Sequence, residues 1–181
     1  MGPLSRRAFS AALVACALTS AHVIAASPTE YQVKAVFLFN FTQFVDWPET
    51  SFDSPTAPLV IGVLADDPFG STLQEAIAGE TVNGRTLELR RYRSIEEVAG
   101  CHILFIAPPV KTPLPTLLQE LHRRNVLTVS DAREFAKQGG VIEFATVGNR
   151  IRLHINLDAA KQANLTISSK LLKPARIVQT N

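Results

Sequence analysis

Cysteine is nearly missing from this chain of 181 residues: Cys16 and Cys101 are its only two. Cys16 lies in an N-terminal segment that reads as removable. The rest therefore has no intramolecular disulfide, and a fold held by bridges is excluded. Charge is sparse as well, at 19% of residues, and the formal excess of +2 is supplied entirely by Arg6 and Arg7. The chain beyond Arg7 is neutral and carries no basic stripe to neutralise phosphates, so nucleic acid is excluded as a partner. His102, His122 and His154 are far apart and lack ligand spacing, which argues against a zinc site. There is no G-x-G-x-x-G, no G-x-x-x-x-G-K-[ST] and no G-x-S-x-G. No cofactor is expected. The acids show no paired spacing, and a dedicated enzyme is not expected either.

What is present begins with an export signal over residues 1–26. Arg6 and Arg7 form a positive start, Ala8 to Ile24 is uncharged and apolar, and Ala25-Ala26 offers a small-residue cut. The apolar run is only ~17 residues, Ala-rich and interrupted by Ser10, Thr19, Ser20 and His22, so it is poor at spanning ~30 Å of hydrocarbon. No membrane span is expected after cleavage, and residues 27–181 form the expected domain, roughly 155 residues with room for one core. Ser5-Arg6-Arg7-Ala8-Phe9 has the form of a twin-arginine signal. An ordinary Sec signal explains it too, and both routes stay open. Leu13-Val14-Ala15-Cys16 resembles a lipobox, but Ser27-Pro28-Thr29-Glu30 reads as a capping box with Pro at the first helical position. That favours a cut after Ala25 or Ala26 over lipidation at Cys16.

The helix behind the signal, Tyr31 to Pro48, is rich in phenylalanine and stops at Trp47-Pro48. Phe37, Phe41 and Phe44 at i, i+4 and i+7 are expected to pack on the core. Val36 and Phe39 lie off that line and form a candidate second side, for a partner or a second copy. Continuous apolar runs at 59–64, 103–106 and 126–129 predict strands covered on both faces. Helices are expected after Asp66-Asp67-Pro68, after Ser94, over 114–124 and over 132–138. Asn83-Gly84 marks a turn before an alternating strand at 86–92. This alternation predicts an α/β single domain with a mostly parallel sheet flanked by helices, Rossmann-like without the dinucleotide fingerprint. A β-hairpin comes next (141–146 and 150–156 around Val147-Gly148-Asn149), then helices at 157–163 and 170–175.

Two places invite functional readings. On the second hairpin arm, Arg152, His154 and Asn156 share one face by the period of two. They are either a solvated face or a site for an anionic ligand or partner. Cys101 opens a buried strand, either as a small apolar residue or as an exposed redox thiol.

Four segments in order resemble one family. They are Lys34-Ala35-Val36-Phe37-Leu38-Phe39-Asn40-Phe41 with Phe44-Val45-Asp46-Trp47-Pro48; Cys101-His102-Ile103-Leu104-Phe105-Ile106; Thr128-Val129-Ser130-Asp131 with Phe135-Ala136 and Gly139-Gly140-Val141-Ile142; and Arg152 to Ala160 with Leu165 to Leu172. From about Tyr31 to Ala175 the chain resembles the YfiR family of periplasmic proteins. The resemblance implies an exported α/β protein that is not an enzyme. It would bind the periplasmic sensor domain of an inner-membrane diguanylate cyclase and restrain it, lowering cyclic-di-GMP and disfavouring biofilm. It also implies self-association, as in a homodimer. Family regulation is linked to disulfides, yet only Cys101 matches a family cysteine here and Val60-Ile61-Gly62 supplies no partner. Redox control by an internal bridge is excluded on count. The alternative is a periplasmic small-ligand-binding module, acting alone or beside a transporter. A structural envelope protein is a third class and would need an anchor at Cys16.

Overall fold

The computed structural model describes residues 28–148 and 150–180. In chain order the elements are α1 (Glu30–Phe44), β1 (Val45–Asp46), β2 (Leu59–Leu64), α2 (Thr72–Ile77), β3 (Thr81–Val82), β4 (Arg85–Tyr92), β5 (Ile103–Ile106), α3 (Leu114–His122), β6 (Leu127–Ser130), β7 (Ile142–Val147), β8 (Arg150–Asn156), α4 (Leu157–Gln162), β9 (Thr166–Ile167), α5 (Ser169–Leu172) and β10 (Arg176–Val178). An eight-stranded sheet runs in the order β10-β8-β7-β6-β5-β2-β4-β3. Its centre, β4-β2-β5-β6-β7, is parallel. β8 is antiparallel to β7 and β10 is parallel to β8. The expected α/β architecture is present.

The apolar runs explain the layering. Every residue of β2, β5 and β6 is buried, as two covered faces require. One face carries Ile61, Val63, Ile103, Phe105, Val129 and Phe144 against α1, α2 and α4; the other carries Leu64, Leu104 and Ile106 against α3 and Phe135. Gly62 sits where the second of these layers is tight. A Cβ there would lie 2.6 Å from Tyr92 Cε2 and 2.8 Å from Cys101 Sγ. Asn83 and Gly84 both take positive φ, 51° and 77°, which turns β3 back onto β4.

Several sequence expectations are corrected. Thr29, not Ser27, caps α1: it accepts from the Gln32 amide while Gln32 accepts from the Thr29 amide. Ser27, the expected cleavage site and Cys16 lie outside the described residues. α1 ends at Phe44 because Val45–Asp46 leaves to pair with β9. Its buried stripe is Lys34, Ala35, Leu38, Phe41 and Thr42. Phe41 is fully buried on Phe144, with Phe37 and Phe44 half-buried at the flanks. Asp66-Asp67-Pro68 does not open a helix. Asp67 instead accepts from the Phe69 amide and from Arg91, and α2 starts at Thr72. Residues 132–139 form successive turns rather than a helix, because Glu134 adopts the left-handed region at φ 59°. The last helix stops at Leu172, before Pro174, and the chain returns as β10. Among the described residues no helix is long and apolar enough to cross a membrane.

Candidate functional site

The β7–β8 hairpin presents one face to the core and one away from it. Ile142, Phe144, Leu153 and Ile155 fill the core, whereas Glu143 pairs across from His154 and Ala145 from Arg152 on the opposite face. Arg152 is exposed, and no ion-pair partner for it occurs among the described residues. It lines a hollow of about 420 Å³ together with Glu30, Val33 and Phe37 of α1 and Arg150. His154 lies on the rim of a second hollow of about 220 Å³, where Arg133, Lys137 and Arg176 converge. Its Nδ1 is 3.4 Å from Glu143 Oε1. Glu143 is itself buried, and its other oxygen accepts from the Ala136 amide at 3.2 Å. Glu134 also lines this second hollow, paired with Lys137, and Glu30 in the first is paired with Lys34, so the arginines remain in excess and the face suits an acidic partner.

Asn156 does not join this face. It is fully buried. Its Oδ1 accepts from the Asp158 and Ala159 amides and caps α4, while its Nδ2 donates to Ala136 O and Thr180 Oγ1. The period of two put Asn156 on the right side, but the turns at 132–139 and the chain's end cover that side. Val36 is 52% exposed, as a docking residue must be, while Phe39 is half-buried against the core. Neither lines the Arg152 hollow. Val33 and Phe37 do, and their i, i+4 spacing was the available signal.

Cys101 takes the buried role of the two left open. Its thiol donates to Ile103 O at 3.1 Å, and burial pushes its pKa up to about 12. A thiol that is neither ionised nor accessible is a poor redox sensor. Neighbouring His102 is a pivot for the loop before β2. Its Nδ1 accepts from the Val60 amide at 3.0 Å, so Nε2 carries the proton and donates to Ser51 O at 3.1 Å. Phe52 stacks on the ring at 4.4 Å, and burial pulls its pKa down to about 4. Among the described residues no cluster of His, Cys, Asp and Glu could hold a metal.

Sequence reasoning missed a buried charge. Lys34, only 1% exposed, places its Nζ 2.6 Å from both Asp131 and Glu30. Tyr31 donates to the same Asp131 oxygen at 2.9 Å. Burial pulls the ammonium down, the bonds to Asp131 and Glu30 outweigh it, and the net shift is upward. The network ties α1 to the end of β6. Its groups satisfy one another, which marks it as a structural clasp.

Comparison with known proteins adds identity to this geometry. A search of curated proteins finds no match. The model of the YfiR/HmsC-like family matches residues 31–176, spanning α1 to the start of β10, and the chain belongs to that family.

Proposed function

We propose that this protein is a non-enzymatic regulator of the periplasm. It binds the periplasmic sensor domain of an inner-membrane diguanylate cyclase, restrains it, and lowers cyclic-di-GMP. The observation that carries this reading is the family match over residues 31–176. Residues 1–26 act as the cleaved export signal in the same reading. Restraint is a matter of linkage: the repressor prefers the inactive sensor conformation and shifts the population by that preference, about 1.4 kcal/mol for each tenfold.

The hairpin face is the proposed contact, with Arg152 and His154 at its centre and Val33 and Phe37 beside them. Arg152 is an exposed cation next to an apolar strip, a combination common at interface hot spots. Val36 and Phe39 on α1 offer a second surface for the sensor or for a homodimer.

The test measures cyclic-di-GMP in cells lacking the gene, complemented with wild type or Arg152→Glu. The level should rise on deletion, return with wild type, and stay high with the variant although the variant accumulates. No rise under several growth conditions would remove the regulatory reading. Full rescue by Arg152→Glu would keep regulation and move the contact elsewhere. N-terminal sequencing of periplasmic protein should begin at Ala26 or Ser27. A chain still carrying residues 1–26, or lipid on Cys16, would overturn the export proposal.

A further inference from the structure

The strand order holds a second feature that the regulatory reading does not use. From β2 the chain crosses to β4 on one side, then passes back over β2 to β5 and continues through β6 to β7. The order β4-β2-β5-β6-β7 therefore reverses direction between β2 and β5. In open α/β sheets the loops at such a reversal diverge beyond the carboxyl ends of the strands and leave a crevice, the usual place for a ligand. This sheet has that crevice, with a volume of about 520 Å³, lined by residues that leave β2, β4 and β5.

Its chemistry is divided. Leu64, Ile95 and Leu117 are buried residues of the core layer on the α3 side and give the crevice an apolar floor. Arg93, from the end of β4, and Lys111, from the loop after β5, stand exposed at its mouth. Among the described residues neither side chain has an ion-pair or hydrogen-bond partner; the only bond at Arg93 is from its backbone amide to Glu97. Asp66 is the single acid in the lining, so the two cations are in excess. The first turn of α3 opens beside Thr112, carries no acid and has no side-chain cap at Pro113. Ala65, at the crevice wall, holds φ at 74°, a strained conformation for a residue with a Cβ. The hairpin face already described shares no residue with this crevice.

We infer that this crevice is a binding site for a small organic anion with an apolar group, the anion held between Arg93 and Lys111 and the apolar part on Leu64, Ile95 and Leu117. A volume of this size lies within the range of small-molecule sites. The site is independent of any sensor domain, and ligand binding here stands or falls apart from cyclase restraint.

The test is nuclear magnetic resonance titration of the purified protein with benzoate, acetate and benzylamine as probes. Benzoate should shift, saturably, the amides of Leu64 to Asp66, Ser94 and Val110 to Thr112. Acetate should act at the same residues but more weakly, for want of an apolar group. Benzylamine should not act there. Arg93→Gln with Lys111→Gln should weaken benzoate roughly tenfold, with an unchanged thermal midpoint, since both side chains are exposed. Each single variant gives a smaller loss in the same direction. Benzoate shifts that miss these amides, equal response to benzylamine, equal strength of acetate and benzoate, or undiminished binding by the double variant would each overturn the inference.

Discussion

The carboxyl edge of the parallel sheet is built in two contrasting ways. Over β6, α1 brings Lys34 down on Asp131, and Tyr31 closes the corner against Phe69 at 5.3 Å. Every charge there has a partner. Over β2, β4 and β5 the edge is left as a crevice, and Arg93 and Lys111 stand without partners among the described residues. The same rule reads both regions. A buried charge persists only when paired, so pairing marks structure. An exposed pair of like charges at a crevice gains nothing for the fold, and its use lies in what it can bind.

The strongest way to break this contrast is Lys34→Ala, which leaves the largely buried Asp131 without its cation. Urea unfolding should show a loss of about 3 kcal/mol, and Lys34→Met, which keeps the stem, should lose less. A loss below about 0.5 kcal/mol would make the clasp a surface pair after all. Next comes pH. The pKa of folded His102 is depressed to about 4 against an ordinary 6.5, so its contribution is full above pH 6.5 and is lost as pH falls toward 4, because the unfolded chain takes the proton first. Wild type should lose roughly 2 kcal/mol more than His102→Gln across that window. Parallel stability curves for the two would place the proton elsewhere. Gly62→Ala should cost about 1–3 kcal/mol, since its methyl meets Tyr92, Cys101 and Leu104. An unchanged thermal midpoint would show that those side chains yield freely. The smallest effect belongs to the open region: Arg93→Gln and Lys111→Gln should each change stability by less than about 0.5 kcal/mol. A larger loss in either would turn the open edge into a structural one.

Much of the fold was legible in the chain. The uncharged runs at 59–64, 103–106 and 126–129 read as strands covered twice, and their alternation with helical segments gave the parallel sheet. The hairpin could be read from its two arms. What stayed hidden has physical reasons. β1, β9 and β10 have two or three residues each, too few for any period to register. The turns at 132–139 carry a helix-like sequence, and only the left-handed Glu134 prevents the helix. Lys34 was invisible because its acceptor, Asp131, is 97 positions away. Asn156 was assigned to the correct side of its strand, but what covers that side comes from elsewhere in the chain. The crevice at the sheet's carboxyl edge exists only through strand order.

The clasp also bears on how the chain folds. α1 leads the described chain, yet Tyr31 closes on a residue 100 positions later and Glu30 on one 116 later. Closing so long a loop is slow, and it rewards the chain only after the intervening strands have paired. The Phe-rich face of α1 is therefore expected to be covered late, after the sheet has assembled. Substitutions at Lys34 should then speed unfolding and leave the folding rate nearly unchanged, as expected of contacts made after the transition state. A folding arm slowed as much as the unfolding arm is quickened would place the helix in the nucleus instead.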